Sequence, residues 1–440
     1  MVMTNLPDTH AGPDRDGRDV PKSPRLRILQ QDLTQSGSPP TVLDAFWQEM
    51  EDVGTPLIEE HDRENGTALV TFLWRGDDEL RNVVVIEWIT EGDFPAKQMT
   101  LMPGSDVWYR SIRIRDDIRT SYQFAPNDSL VPKPEEKDWP TRFAGWRQDP
   151  LNTRPLIDPD VDVSEDGRSQ ASCVLELPNA PAQPWIEKRT DVAKGVVSHH
   201  RFESNGLQNT RDVWVYRPAR EVQASAPVLV LFDGERHLDV LRVPTVLDNL
   251  FASGKVEPMV AVMVGNVDRG NELPCNRGFL TMLTDELMPW LAAETGVQPA
   301  PGRTVAAGLS YGGLAAMYCG LFAPETFGLV LSQSGSFWWK PDPMNEQTEV
   351  RIGDAPPYCW LPTQAATMEP GDIRVWMEVG TLEDRTHGSG GPTQMSANRH
   401  MRDVLVAKGV PVTFVEFAGG HDYACWRNSL ADGLIHLLGK

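Results

Sequence analysis

The stretch VAAGLSYGGLAAM, Val305 to Met317, contains G-x-S-x-G as Gly308-Leu309-Ser310-Tyr311-Gly312. Apolar Val305, Ala306 and Ala307 precede it and small helix-compatible residues follow, so the stretch reads as strand, sharp turn and helix. Without a β-carbon at Gly308 and Gly312, a strained turn can pack closely and hold the Ser310 hydroxyl out of it. That is the local structure a nucleophilic serine needs. Gly and Ser also fill ordinary turns, so the motif has weight only if the rest of the chain agrees with it.

Beyond the linker LELPNAPAQPW, Leu175 to Trp185, the chain does agree. Buried strands such as APVLVLFDGE, PMVAVMVGN, FGLVLSQSG, IRVWMEVG and VTFVEFAGG alternate with helix-like segments, among them VLRVPTVLDNLFASG, GFLTMLTDELMPWLAAETG and ANRHMRDVLVAKG. This pattern predicts an α/β-hydrolase fold over residues 190–440, a mostly parallel sheet with helices on both faces. In such a sheet the site is built at the carboxyl ends of the strands. Ser310 follows one strand, Glu383 and Asp384 follow IRVWMEVG, and His421 follows VTFVEFAGG. The order serine, acid, histidine is the α/β-hydrolase order.

Each residue type has a chemical reason to be there. A seryl hydroxyl attacks poorly until a base takes its proton, and an imidazole can take that proton and return it to a leaving alcohol. A carboxylate fixes the imidazole tautomer and stabilises its charged form. His387, beside the acid loop, is the placement rival of His421, and spacing alone leaves Glu383 and Asp384 as alternatives. The oxyanion donors are expected to be the backbone N–H groups of Tyr311, just after the serine, and of Glu235, after the strand VLVLFDG.

The N-terminal half has a different texture. From residue 66 to 126 short runs rich in β-branched and aromatic residues, GTALVTFLWRG, NVVVIEWIT and DVWYRSIRIRDD, are separated by turn signals such as Pro103-Gly104-Ser105. They predict an antiparallel β-sandwich within residues 41–185, with the Pro-rich linker at its end. Residues 1–40 read as a flexible leader with no apolar segment of signal-peptide type. A chain of 440 residues exceeds what one core usually supports, so two domains are expected.

Composition narrows the partners. A net charge of −21 opposes general nucleic-acid binding, and no run is long enough to span a bilayer. The five cysteines are widely spaced with no C-x-x-C pair, which suits structural thiols in a reducing compartment and offers no metal cage.

LFDGE, RGNELPCNRGF, GLSYGGLAAM, QSGSFWW and GGHDYACWR, in that order, resemble the enterochelin (ferric enterobactin) esterase family. VTFLWRG, GSDVWYRSI, SYQFAPND, DPLNTR and VLELPNAPAQPW resemble its N-terminal domain, so the likeness runs from about residue 66 to the C-terminus. The resemblance implies a cytoplasmic serine esterase that opens the ester bonds of a cyclic tris-catecholate siderophore. Iron would then be cargo of the substrate, with no cofactor on the protein. It implies Ser310 as nucleophile, His421 as base and Glu383 as acid, because the family places its carboxylate three residues after the strand-ending glycine, here Gly380. This chain departs from the pattern in having Asp384 adjacent and a longer loop, EDRTHGSGGPTQM, before the next helix.

A ferric tris-catecholate is a trianion, so local cations must oppose the acidic whole. Arg236, Arg269 and Arg277 follow core strands and are the candidates, together with Lys340; surface solvation or pairing with Glu272 is the alternative use of Arg269 and Arg277. Trp338 and Trp339 are placed to stack on catechol rings or arginines. Two other readings remain: a carboxylesterase or feruloyl-type esterase acting on another aromatic ester, and a siderophore-binding protein without catalysis.

Overall fold

A computed structural model describes residues 21–157, 172–298, 300–341, 358–385 and 391–439, and the chain divides into two compact units between Pro181 and Ala182.

The first unit opens with helices. The Ser23 hydroxyl accepts the Leu26 N–H at 3.1 Å and so caps α1 (Pro24–Gln35), and prolines in the first turn start both α1 and α2 (Pro39–Val53). Leu26 and Leu29, one turn apart, pack with Phe46, Trp47 and Met50 of α2. This corrects the leader expected over residues 1–40. From Pro24 onward the chain is helical, because that apolar pair buries a face that the Pro- and Asp-rich composition hides; residues 1–20 lie outside the described residues.

Strands β1 (Leu57–Asp62), β2 (Thr67–Arg75), β3 (Val83–Glu87), β4 (Thr100–Leu101), β5 (Val107–Arg115) and β6 (Arg119–Pro126) follow, then α3 (Trp139–Ala144) and β7 (Cys173–Glu176). They form two antiparallel sheets, ordered β1-β2-β5-β4 and β3-β6-β7. Inward aromatics of β2 and β6 meet edge to face: Phe72 and Tyr122 at 4.9 Å, Trp74 and Phe124 at 5.2 Å between ring centroids.

The second unit contains an eight-stranded mixed sheet. Its elements are β8 (Val196–Ser204), β9 (Asn209–Arg217), β10 (Val228–Phe232), α4 (Gly234–Asp239), α5 (Val243–Ala252), β11 (Val260–Val264), α6 (Arg269–Glu272), α7 (Arg277–Thr281), α8 (Met288–Thr295), β12 (Thr304–Leu309), α9 (Tyr311–Phe322), β13 (Leu329–Gln333), α10 (Trp360–Thr367), β14 (Arg374–Gly380), α11 (Gln394–Ala407), β15 (Val412–Phe417) and α12 (Tyr423–Leu438). The segment expected as one helix over 278–296 is interrupted by a π-helical turn, Met282–Leu287. The strand order is β15-β14-β13-β12-β10-β11-β9-β8. All pairs from β11 to β15 are parallel, and β8 and β9 are antiparallel additions at one edge.

Strand alternation divides the core in two. Val228, Val230 and Phe232 face α7, α8, α9 and α11, whereas Leu229 and Leu231 face α5 and α12. The chain leaves β10 for β11 on one side and later returns to place β12 on the other. The carboxyl ends of β10 and β12 therefore flank a topological switch point, where open α/β sheets leave a crevice.

Candidate active site

Three neighbouring strands end in a non-glycine residue with positive φ: Asp233 after β10 (φ 62°), Ser310 after β12 (φ 56°) and Ser334 after β13 (φ 46°). Each is a costly conformation held by the surrounding fold, and such residues gather at functional sites. Ser310, with ψ −120°, is fixed by its own N–H to the Gln333 carbonyl (2.9 Å) and by its carbonyl, which accepts the Leu314 and Ser336 N–H groups at 3.1 and 3.0 Å.

The glycines of G-x-S-x-G make this turn possible. A β-carbon at Gly308 would lie 2.5 Å from the carbonyl carbon of Gly312, on backbone that cannot move aside. Gly308→Ala is therefore expected to cost about 1–3 kcal/mol or more of stability and to lower esterase activity even where the fold survives. Denaturant unfolding alongside ester hydrolysis checks this; wild-type stability and rate would contradict the close approach.

The candidate acid and base meet as a pair. His421 Nδ1 lies 2.6 Å from Glu383 Oε2, and Glu383 is 4% exposed. The other carboxylate oxygen accepts the Ser334 hydroxyl at 2.6 Å and the Gly380 N–H at 2.7 Å, so both oxygens are committed. Glu383 turns inward because its N–H closes a tight turn onto the Gly380 carbonyl at 3.0 Å. Asp384 is exposed and accepts the Thr393 hydroxyl at 2.9 Å. Of the two carboxylates left open by spacing, the structure puts Glu383 against the histidine. His387 lies outside the described residues.

Behind this pair is a polar layer that sequence patterns did not assign. Trp426 packs edge-on against His421, 4.7 Å between centroids, and its indole N–H donates to the Ser334 hydroxyl at 3.1 Å. Gln394 and Asn398 of α11 both donate to the Gly335 carbonyl at 2.8 Å, pinning the QSGS turn from some sixty residues away. The Ser336 hydroxyl lies 3.4 Å from that of Ser310. QSGSFWW was visible as a motif, but which helix braces it is a property of the fold.

Gln333, whose carbonyl holds Ser310, donates its side-chain amide to Glu378 Oε1 at 3.0 Å, and the Ser429 hydroxyl donates to the same oxygen at 2.5 Å. Burial pushes the Glu378 carboxyl up to about 8, with Asp432 and Glu383 adding to the rise and the bonds from Ser429 and Gln333 opposing it. A carboxyl raised in the folded state supports the fold at low pH. That support is lost as pH rises from the ordinary 4.5 towards 8, because the unfolded carboxyl ionises first. Glu378→Gln, which keeps the accepting oxygen, is expected to gain stability over wild type on the order of a few kcal/mol more at pH 8 than at pH 5. Denaturant unfolding at both pH values measures this, and a difference independent of pH would contradict the buried neutral acid.

The remaining site residues take distinct places. The Tyr311 amide opens α9 directly after Ser310. Glu235 is half-buried in α4; burial raises its carboxyl above the ordinary range, with its own backbone N–H acting against the shift. Arg269 pairs with Asp233, and its guanidinium lies 5.5 Å from the Tyr311 ring centroid. It does not pair with Glu272, which is held by buried Arg211 at 2.7 Å. Arg277 is exposed at the start of α7. Trp338 donates to Gln394 Oε1 at 2.5 Å and lies 6.0 Å from the Tyr311 ring, whereas Trp339 packs edge-on against Trp360, so both tryptophans are partly buried against the core. Lys340 sits over the Tyr358 ring at 4.6 Å. Among the described residues no group of three His, Cys, Asp or Glu side chains is arranged to hold a metal ion, and no helix is long and apolar enough to cross a membrane.

A strained serine after a central parallel strand, with a histidine–carboxylate pair at the ends of the following strands, defines an esterase built on an α/β sheet. Residues 204–437 match the family described as putative esterase, and residues 69–186 match the enterochelin esterase N-terminal family. Over 433 residues the chain is 30% identical to the iron(III) enterobactin esterase of Dickeya dadantii (strain 3937), covering 92% of this chain and 95% of that one. The iron(III) enterobactin esterase of Escherichia coli (strain K12) is 31% identical, with 84% and 90% covered. The crystal structure of the Shigella flexneri enterobactin esterase in the presence of enterobactin superposes with a TM-score of 0.70 at 28% identity, over 92% of this chain and 98% of that one. The chain belongs to the enterochelin, or iron(III) enterobactin, esterase family.

Proposed function

We propose that this chain hydrolyses the ester bonds of a ferric tris-catecholate trilactone siderophore, with Ser310 as nucleophile, His421 as general base and acid, and Glu383 as the carboxylate that orients it. Ser310 Oγ attacks the ester carbonyl while His421 Nε2 takes its proton; the tetrahedral oxyanion is received by the backbone N–H groups of Tyr311 and Glu235. His421 then gives the proton to the leaving alkoxide, and an acyl group remains on Ser310. A water molecule, deprotonated by the same imidazole, releases the acid and restores the serine. Iron enters and leaves with the substrate, and no step requires a metal held by the protein. Arg236, Arg277, Trp338 and Trp339 are assigned to substrate recognition, and Arg269, bonded to Asp233, to the wall of the site.

The observation that carries this reading is the 2.6 Å bond between His421 and Glu383, in a chain of this family whose serine occupies a strained strand-to-helix turn. We place the activity in the cytoplasm, where the thiols of the five cysteines remain reduced. We also read the N-terminal unit as an antiparallel sandwich closed by the Phe72, Trp74, Tyr122 and Phe124 contacts. A competition assay between the ferric trilactone and methyl ferulate tests the substrate class: kcat/KM is expected to favour the trilactone by about 100-fold or more, the equivalent of about 2.7 kcal/mol of transition-state binding. A preference for the ferulate ester would assign the site to plant-type aromatic esters.

A further inference from the structure

Two arginines converge on the carboxyl end of β10, and the fold uses them differently. Arg269 donates through Nε and Nη2 to the two oxygens of Asp233, at 2.6 and 2.9 Å. Asp233 is 3% exposed and also accepts the Asn266 amide at 2.7 Å. A bidentate pair on a buried carboxylate balances its charge and commits two of its N–H groups to the wall of the site.

Arg236, three residues further along, is half-buried in α4. Among the described residues its guanidinium makes no hydrogen bond or ion pair, and its Nη1 is shut off from solvent with no acceptor. A cation drawn out of water without a partner is costly, and folds that keep one generally use it. Its charged and titratable neighbours are few. Glu235 and Asp239 lie on the same helix, and the carboxyls of both are raised by burial, with Arg236 opposing the rise. The third is Tyr423, two residues after His421; burial pushes its phenol up, Asp233 and Asp422 add to this, and Arg236 and Arg269 pull it down. The unpartnered cation thus sits just past the carboxyl end of β10, one residue after Glu235, whose amide is the expected second oxyanion donor.

We propose that Arg236 is the specificity-determining cation of this site, its open guanidinium taking an anionic oxygen of the substrate, catecholate or carboxylate, whereas Arg269 is a structural partner of Asp233. This rests on the siderophore-esterase reading for its substrate, but its test does not depend on turnover.

In a Ser310→Ala background, the affinity for the ferric trilactone is followed by quenching of tryptophan fluorescence. Adding Arg236→Gln is expected to weaken binding about tenfold or more, Arg236→Lys to restore part of the loss, and both effects to shrink at high salt. In the active enzyme, Arg236→Gln should raise KM for the ferric trilactone while lowering kcat little, so the ratio of kcat/KM for the ferric substrate to that for neutral p-nitrophenyl butyrate falls about tenfold. The iron-free linear trimer, which carries a carboxylate but keeps its catechols protonated, separates carboxylate from catecholate recognition. Thermal melting separates recognition from structure: Arg236→Gln should melt at or above the wild-type temperature, and Arg269→Gln below it, because Asp233 is then buried without its partner. Unchanged affinity for the ferric complex in the Arg236→Gln background, or an equal loss for charged and neutral esters, would overturn the proposal. Failure of the wild type to hydrolyse any tris-catecholate, with the affinity difference intact, would instead overturn the esterase reading and leave Arg236 as an anion-binding residue.

Discussion

Ser310→Ala is expected to reduce ester hydrolysis by about ten-thousandfold or more while leaving the affinity for the ferric siderophore within a few-fold of wild type. The side chain removed is the proposed attacking group, and its contribution to the packing is small: Ser310 is only partly buried, and the turn is held by backbone bonds to Gln333, Leu314 and Ser336 that alanine retains. Alanine at φ 56° remains strained, as serine is, so the elbow loses no conformational preference that the wild type enjoyed. Single-turnover kinetics with p-nitrophenyl butyrate and the ferric trilactone, together with a binding titration, separate the two effects. Loss of binding in parallel with turnover would mean that the substitution collapses the site and would leave the nucleophile unassigned.

Glu383→Gln is expected to cost on the order of ten-thousandfold in kcat near neutral pH, with little change in folding. A glutamine can keep its oxygen towards the Ser334 hydroxyl and the Gly380 N–H, since both are donors. Its NH₂ must then face His421 Nδ1, which becomes an acceptor and moves the imidazole proton to Nε2, where it can no longer take the serine's proton. Asp384→Asn alters an exposed carboxylate bonded to Thr393 and is expected to leave kcat within about twofold. Steady-state kinetics on both variants decide the matter, and a larger loss from Asp384→Asn would contradict the arrangement of acid and base described here.

The contrast between these two carboxylates shows what a sequence can and cannot disclose. The serine, the histidine and the acid loop were legible because a parallel sheet places its chemistry at strand ends, and G-x-S-x-G, IRVWMEVG and VTFVEFAGG mark three of them. Which of two adjacent acids points inward depends on a single turn closed by the Glu383 N–H on Gly380; strand-end placement does not contain that turn, and only the family's spacing from Gly380 pointed to Glu383. The division of labour between Arg236 and Arg269 was hidden for the same reason, since it depends on where the buried Asp233 carboxylate lies. Bracing of the QSGS turn by Gln394 and Asn398 joins positions far apart in the chain, and α1 was concealed by its Pro- and Asp-rich surroundings. The texture of the N-terminal strands was plain from their β-branched and aromatic alternation, but their division into two sheets was not.

The most direct measurement is mass spectrometry of the products formed when purified wild type and Ser310→Ala are each incubated with the ferric trilactone. Wild type is expected to convert the cyclic compound to linear trimer and then to shorter fragments, each cleavage adding one water, while Ser310→Ala leaves the cyclic compound intact. Recovery of the intact trilactone from wild type under conditions where the same preparation hydrolyses p-nitrophenyl butyrate would contradict the assignment of this serine site to siderophore ester hydrolysis.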